Sequence, residues 1–223
     1  MSKLLETVEV QTKDDVQYSI IWLHGLGADA NDFLPIVPEL KLPANIGVRF
    51  VFPNAPIRPI TINNGMAMRG WYDILDLTSL NQRADEQGLR ESQQQIEALI
   101  KQENNRDIPT NHIILAGFSQ GCAMTLQTGL RYPEKLAGLI CLSGYLPLHT
   151  TIEAELSEAN RQTPIFMAHG SFDPVVPLQA ASLSHDVLTN LNYSITWKNY
   201  PMGHQVCAPE INDLSLFLQH ILR

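Results

Sequence analysis

The sequence predicts a three-layer α/β fold in which helices cover both faces of a mostly parallel central sheet. Short, almost continuously apolar runs alternate with helical patterns over nearly all of the 223 residues. Runs of this kind are typical of strands that are buried on both faces. Helices between such strands imply parallel pairing with right-handed crossovers. No internal repeat or linker-like change in composition interrupts the pattern, so we expect a single domain over residues 1–223.

Seven segments are predicted as strands because they are short and rich in branched and aromatic residues. Several of the first six are almost continuously apolar, as buried parallel strands are: Tyr18–Leu23, Val48–Phe52, His112–Ala116, Leu136–Leu142, Pro164–Ala168 and Tyr193–Tyr200. The seventh, Leu5–Gln11, alternates between apolar and polar residues and is predicted as an antiparallel edge strand.

Four segments are predicted as helices. In the longest, apolar or small residues recur every three or four positions along one face, opposite charged residues. Another ends before a Tyr-Pro pair, because proline disfavours continuation of the helix. The four helices are Glu86–Asn104, Gly121–Arg131, Leu178–Leu191 and Pro209–Leu222. The stretch Asn54–Asp85 shows no clear periodicity, which is unusual inside a domain unless the segment has a function.

Composition and charge exclude several classes of function. The formal net charge of −8 argues against nucleic-acid binding and against a polybasic membrane contact. No apolar run approaches the length of a membrane span, and the N-terminus turns acidic too early for a signal peptide. The three cysteines lack the spacing of a disulfide framework or a metal site. We therefore expect a cytoplasmic protein without a metal.

The pentapeptide Gly117-Phe118-Ser119-Gln120-Gly121 matches the G-x-S-x-G pattern of a nucleophile elbow. A predicted strand leads into it and a predicted helix follows it, which is the context that the motif requires. Glycines beside the serine let the strand and the helix pass closely. Ser119 is therefore the candidate nucleophile; the alternative is a glycine-rich turn that contains an incidental serine.

A serine nucleophile needs a histidine base and a carboxylate that orients it. With this elbow, the order along the chain is serine, acid and then histidine. Of the seven histidines, His204 lies in a proline- and glycine-containing loop after the last predicted strand, and Asp173 follows the strand before it. Ser119, Asp173 and His204 are therefore the predicted triad, although Asp173 also suits a turn before Pro174.

The negative charge that develops on the substrate carbonyl needs two hydrogen-bond donors. One is expected to be the backbone amide of Gln120, directly after the nucleophile. The other is expected in the loop His24-Gly25-Leu26-Gly27, after an early strand, with Leu26 as the donor. The two glycines of this loop suggest a nucleotide-binding turn as well, but the third glycine and the lysine of such motifs are absent.

Several motifs together resemble the phospholipase/carboxylesterase family, which includes bacterial carboxylesterases and eukaryotic acyl-protein thioesterases. They occur in family order from about residue 17 to the C-terminus: His24–Gly27, Pro53–Pro59, Trp71–Ile74, Gly117–Gly121, Leu146–Leu148, His169–Pro177 and Gly203-His204. The resemblance implies a compact α/β-hydrolase without a large cap domain, acting on carboxylic esters or thioesters without a cofactor. It assigns the same triad and the same two oxyanion donors.

The resemblance also implies an acyl groove in which the aperiodic Asn54–Asp85 stretch takes part. The residues that match groove positions are Trp71, Ile74, Leu75, Tyr145, Leu146 and Val175. Ordinary core packing is the alternative for each of these apolar residues. Tyr145 stands where eukaryotic acyl-protein thioesterases usually have tryptophan, which favours a bacterial-type esterase for shorter acyl groups.

The leading hypothesis is hydrolysis of short- to medium-chain acyl esters or thioesters through an acyl-enzyme. The expected partners are small-molecule or lipid acyl esters or an acylated protein, and an exposed groove edge would also offer a homodimer contact. A lysophospholipase is the first alternative. The second is a non-catalytic binding protein built on a hydrolase scaffold, since a fold does not by itself determine function.

Overall fold

The computed structural model describes residues 4–76 and 84–223. Its strands are β1 (Thr7–Gln11), β2 (Tyr18–Leu23), β3 (Val48–Pro53), β4 (Ile57–Ile60), β5 (Met66–Arg69), β6 (Ile113–Phe118), β7 (Gly138–Leu142), β8 (Ile165–Gly170) and β9 (Ile195–Tyr200). Its α-helices are α1 (Glu86–Asn104), α2 (Gln120–Gly129), α3 (Ile152–Glu155), α4 (Leu178–Asn190) and α5 (Ala208–Ile221). Short 3₁₀ helices, such as Leu34–Glu39, lie between them.

Seven of these strands form the central sheet, in the order β1-β3-β2-β6-β7-β8-β9. All neighbouring pairs are parallel except β1 and β3, which pair antiparallel at one edge. The predicted fold class and the predicted antiparallel edge strand are both confirmed. Parallel pairing places the carboxyl ends of β2, β6, β7, β8 and β9 along one edge of the sheet, where open α/β sheets form their binding sites.

Two apolar cores lie on opposite faces of the sheet, and β2 shows why the last four residues of a central strand, Ile20–Leu23, are all apolar. Ile21 and Leu23 pack into the core beneath α1, α2 and α4, whereas Ile20 and Trp22 pack into the core beneath α5. Successive side chains of a strand point to opposite faces. A strand that is covered on both sides therefore needs apolar residues towards both cores; Ser19 is a polar exception in β2 and is buried as well.

The structure shows a second, two-stranded sheet within the Asn54–Asp85 stretch, for which the sequence predicted no regular structure. Strands β4 and β5 pair antiparallel across a turn in which Asn64 and Gly65 have φ values of 54° and 74°. The Asn-Gly dipeptide is a strong hairpin signal, because both residues tolerate positive φ. Part of the same stretch, residues 77–83, lies outside the described residues.

Nothing in the described ranges forms a separate cap over the edge of the sheet that holds the strand ends. The segment after the hairpin is instead tied down locally. The carboxylate of Asp85 accepts hydrogen bonds from the amide of Asp73 (2.9 Å) and from the amide of Gly88 (2.9 Å) in the first turn of α1. Asp85 therefore caps the helix and anchors the chain before it. None of the described helices is long and apolar enough to cross a bilayer.

A buried carboxyl group lies in the first turn of α5. Glu210 is 1% exposed; its Oε2 accepts from the amide of Cys207 (3.4 Å), and its Oε1 has no partner among the described residues. Burial raises the pKa of Glu210 to about 7, from an ordinary value of 4.5. Between pH 4.5 and about pH 7, the folded protein therefore keeps a proton on Glu210 that the unfolded chain loses.

We expect the free energy of unfolding to fall as the pH rises from about 4.5 to about 7, because ionisation of Glu210 is favoured in the unfolded chain. The shift corresponds to about 3 kcal/mol, and Glu210→Gln should remove this loss while keeping an acceptor for the Cys207 amide. Urea unfolding at pH 5 and pH 8 measures it. Glu153→Gln, at an exposed position, is the control. Equal pH dependence in wild type and Glu210→Gln would contradict the prediction.

Candidate active site

Ser119 occupies the sharp turn between β6 and α2, and its backbone is strained. Its φ of 56° and ψ of −116° lie outside the regions that non-glycine residues favour. The turn requires glycine on both sides. A Cβ on Gly117 would lie 2.2 Å from the carbonyl oxygen of Gly121, and a Cβ on Gly121 would lie 2.1 Å from that of Leu23. The strand–turn–helix geometry is therefore that of a nucleophile elbow.

The structure brings Ser119, His204 and Asp173 into one hydrogen-bonded chain. The Ser119 hydroxyl donates to Nε2 of His204 at 2.8 Å, and Nδ1 of His204 donates to Oδ2 of Asp173 at 2.6 Å. Asp173 follows β8, and His204 lies in the loop after β9. This arrangement can take a proton from the serine hydroxyl while the carboxylate orients the imidazole.

The carboxylate of Asp173 is held from its second oxygen. Its Oδ1 accepts from the amides of Val175 (2.8 Å) and Val176 (2.9 Å), and its side chain is inaccessible to solvent. The turn that the sequence offered as an alternative role for Asp173 is therefore present together with the contact to His204. Two oxygens with separate sets of donors leave the carboxylate little freedom to rotate.

His169 is a part of the site that the chain-order argument did not identify. Its Nε2 donates to the carbonyl oxygen of Val176 (2.8 Å) and lies 3.5 Å from Oδ2 of Asp173. Burial lowers the pKa of His169, so the ring stays neutral. The position of His169, four residues before Asp173 at the end of a buried strand, is the sequence signal for this role. His169 positions the loop that carries the carboxylate.

The loop after β2 is held by a second buried histidine. Nε2 of His24 accepts from the amide of Ala55 (3.0 Å), and its Nδ1 donates to the carbonyl oxygen of Gly25 (2.7 Å). Burial lowers the pKa of His24, so this ring is neutral as well. Trp71 Nε1 donates to the His24 carbonyl oxygen at 2.9 Å. These contacts fix the loop from which Leu26 is predicted to donate its amide.

The side chain of Gln120 joins the elbow to the segment after the hairpin. Its Oε1 accepts from the amide of Trp71 (2.7 Å), and its Nε2 donates to the carbonyl oxygen of Tyr72 (2.7 Å). The backbone amides of Gln120 and Leu26 have no acceptor among residues 4–76 and 84–223. Both amides are therefore available to an oxyanion. The sequence predicted only this backbone role for Gln120 and not the contacts of its side chain.

A cavity of about 260 Å³ opens beside Ser119. It is mostly apolar and is lined by Leu26, Ile62, Asn63, Tyr72, Ile74, Ser119, Gln120, Tyr145, Val175 and Val176. Four of the residues predicted near the acyl group are thus on its wall: Leu26, Ile74, Tyr145 and Val175. The hydroxyls of Tyr72 and Tyr145 are hydrogen-bonded to each other at 2.8 Å.

Three predicted groove residues do not line this cavity, which corrects the expectation from the sequence. Trp71 and Leu146 are 0% and 1% exposed and belong to the core beneath α1 and α2. Leu75 borders an adjoining small space, which shares Tyr72, Ile74 and Tyr145 with this cavity. The physical reason is that Trp71 and Leu146 complete the packing of the sheet, whereas Ile62 and Asn63, next to the hairpin turn, supply the wall instead.

Comparisons with known proteins find similarity over nearly the whole chain. The model of the phospholipase/carboxylesterase family matches residues 5–222. Acyl-protein thioesterase 1 of Yarrowia lipolytica is 36% identical over 220 residues, covering 97% of this chain and 97% of that protein. Acyl-protein thioesterase 1 of Neurospora crassa is 40% identical over 209 residues, covering 90% of this chain and 85% of that protein.

Solved structures with similar folds include Arabidopsis thaliana SOBER1 and Zea mays acyl-protein thioesterase 2. SOBER1 superposes with a TM-score of 0.86 at 30% identity, covering 93% of this chain and 100% of that one. The maize protein superposes with a TM-score of 0.85 at 27% identity, covering 98% of this chain and 99% of that one.

We expect Gly121→Ala to destabilise the fold by about 2 kcal/mol or more, because the new Cβ would overlap backbone atoms that cannot rotate away. Thermal unfolding followed by circular dichroism measures the loss. Gly203→Ala is the matched control, since a Cβ there meets no atom closer than 3.9 Å. If both variants melt together with the wild type, the packing of the elbow against β2 is looser than the structure indicates.

Proposed function

This chain belongs to the phospholipase/carboxylesterase family of serine hydrolases, and we propose that it cleaves short- to medium-chain acyl esters or thioesters through an acyl-enzyme on Ser119. The hydrogen-bonded chain from Ser119 through His204 to Asp173 carries this proposal. A serine hydroxyl becomes an effective nucleophile only when a base accepts its proton. His204 is the base in contact with the Ser119 hydroxyl.

The proposed reaction has two halves. In the first, Nε2 of His204 takes the Ser119 proton as Oγ attacks the acyl carbonyl carbon, and the imidazolium then gives this proton to the leaving oxygen or sulfur. In the second, His204 takes a proton from water as the water oxygen attacks the acyl carbon. The bond between this carbon and Oγ then breaks, which releases the carboxylic acid, and His204 returns the proton to Oγ. Asp173 holds the imidazole tautomer and stabilises the imidazolium in both halves. The cycle needs neither a metal nor an organic cofactor.

The carbonyl oxygen carries negative charge in the intermediate of each half. The amides of Leu26 and Gln120 are the proposed donors, and donors of this kind each stabilise the transition state by on the order of 3 kcal/mol. The amide of Gln120 lies in the first turn of α2, where the helix dipole also favours negative charge. The side-chain contacts of Gln120 keep this amide in place.

The small cavity beside Ser119 supports the choice of acyl group. Its volume of about 260 Å³ and its apolar wall suit a short or medium acyl chain. The paired hydroxyls of Tyr72 and Tyr145 form a fixed part of this wall. Burial raises the pKa of Tyr145 to about 12, so that group stays protonated at neutral pH.

The source of the acyl group is a further part of the proposal. The names of the fungal relatives favour a thioester of an acylated protein, and small-molecule acyl esters are equally compatible with the chemistry of the site. Lysophospholipids are the alternative substrate class. Hydrolysis of lysophosphatidylcholine should therefore be compared with hydrolysis of acyl esters and acyl thioesters. A cytoplasmic location and a homodimer contact at the groove edge stay predictions.

We expect Ser119→Ala to abolish hydrolysis and labelling by a fluorophosphonate probe, because the acyl-enzyme cannot form without Oγ. Intact mass spectrometry measures one probe adduct on wild type and none on the variant. Ser171→Ala, at an exposed position, is the control and should behave as wild type. Labelling of Ser119→Ala, or its hydrolysis of esters above a few per cent of wild type, would overturn the assignment. An unlabelled wild type would favour the binding protein.

We expect kcat/KM to rise from acetyl to medium-chain esters and then level off, because each buried methylene adds about 0.8 kcal/mol until the cavity is full. Val175→Phe should move the optimum towards shorter acyl groups, since Val175 is on the cavity wall. Leu183→Phe, at an exposed position on α4 outside that wall, is the matched control. A chain-length profile that is flat, or that Val175→Phe leaves unchanged, would place the acyl group elsewhere.

A further inference from the structure

A second and larger cavity, of about 480 Å³, lies on the other side of the triad. His204 lines this cavity, whereas Ser119 and the two proposed oxyanion donors line the smaller one. Phe118, in the elbow, forms part of the wall of the larger cavity, and its ring packs against His204 with centroids 4.8 Å apart. The two cavities therefore flank the hydrogen bond between Ser119 and His204.

The chemistry of acyl transfer distinguishes the two cavities. The acyl carbonyl must reach Ser119 and the amides of Leu26 and Gln120, all of which belong to the smaller cavity. The leaving oxygen or sulfur must instead receive its proton from Nε2 of His204. A group that extends from this atom towards His204 would therefore approach the larger cavity, which His204 lines.

The wall of the larger cavity is apolar, and its charged residues are acidic. Phe33, Ile36, Val206 and Ile211 supply apolar surface. Asp32 and Glu39 also line it; both are exposed, and neither forms an ion pair with any residue in the described ranges.

The segment around the two carboxylates carries no compensating positive charge. Residues 28–40 contain no lysine or arginine. The nearest lysine along the chain, Lys41, directs its ammonium group to Oδ1 of Asn212 (3.0 Å) and not to either carboxylate. The wall of the cavity therefore combines apolar surface with two carboxylates, which would attract a positively charged ligand.

We infer that the larger cavity binds the leaving alcohol or thiol of the substrate and selects one that has an apolar body and a positive charge. The inference rests on the proposed hydrolase function and adds to it the chemical class of the leaving group. The apolar body packs against the aromatic and aliphatic wall, and the charge lies near Asp32 and Glu39. The acyl group stays in the smaller cavity.

Three butyrate esters that differ only at a remote position test the inference. The leaving alcohols are 2-(4-trimethylammoniophenyl)ethanol, its neutral tert-butyl isostere and its anionic sulfonate analogue. The ring and two carbons separate the charge from the reacting oxygen, so the chemical step is nearly the same for all three. We expect kcat/KM for the cationic ester to exceed that of the neutral ester by roughly threefold to tenfold at low salt. The anionic ester should be the slowest.

Charge variants show where the preference arises. Asp32→Asn/Glu39→Gln should reduce the ratio of cationic to neutral ester to below about twofold, as should added salt, which screens exposed charges. Asp14→Asn/Glu153→Gln removes the same charge at two exposed positions that do not line the cavity, and it should keep the wild-type ratio. A wild-type ratio near one, or a ratio that survives Asp32→Asn/Glu39→Gln, would overturn the inference.

A steric variant tests the location independently of charge. Ile211→Trp should lower kcat/KM for all three aromatic esters at least fivefold more than it lowers kcat/KM for ethyl butyrate. If it shifts the acyl chain-length optimum instead, the larger cavity is the acyl site and the inference fails. If the wild type neither hydrolyses any of the esters nor reacts with the fluorophosphonate probe, the proposed hydrolase function itself is wrong. A wild type that hydrolyses the esters without regard to charge refutes only the leaving-group preference.

Discussion

The close packing of the elbow against the end of β2 is the contact on which the rest of the site depends. The left-handed backbone of Ser119 is unfavourable for a residue with a side chain. It is held because the Ser119 amide donates to Leu142 (2.9 Å), its carbonyl oxygen accepts from Ala123 (3.2 Å), and Gly121 lies directly against the backbone of Leu23. The same packing brings the first amide of α2 beside the loop that contains Leu26.

The parallel order of the strands brings the other residues of the site together at one edge of the central sheet. The loop with Leu26 follows β2, Ser119 follows β6, Asp173 follows β8 and His204 comes after β9. These strands lie in one sheet with only β7 between β6 and β8. Residues that are up to 178 positions apart in the sequence meet because all of these strands end at the same edge.

Three histidines near this edge have different tasks, and burial separates them. His24 and His169 are buried, and burial lowers their pKa values. Both rings are neutral and hold the loops around them through hydrogen bonds. His204 keeps contact with solvent, since its side chain is 16% exposed and lines the larger cavity. The proposed base must exchange protons with substrate and water and needs this access. The two histidines that only hold loops in place are more rigid when they are buried.

The sequence by itself determined the alternation of strands and helices, because a strand covered on both faces has apolar residues towards both, as β6 and residues Ile20–Leu23 of β2 do. It also determined the triad candidates, since only Ser119 lies in an elbow motif, and Asp173 and His204 follow it in the required order at strand ends. The hairpin β4–β5 was within reach through Asn64-Gly65. Local signals of this kind act over a few residues and can be read without the fold.

Only the tertiary structure decided which apolar side chains form the core and which line a cavity. Trp71 and Ile74 are three residues apart and similar in character, yet Trp71 is sealed beneath the sheet's helices while Ile74 is on the wall of a cavity. The tertiary structure also decided the contacts of the Gln120 side chain, the hydrogen bond by which His169 holds its loop, and the second cavity beside His204. Each depends on contacts between segments distant in the sequence, and hydrophobicity or hydrogen-bonding capacity alone does not specify which partner a side chain meets.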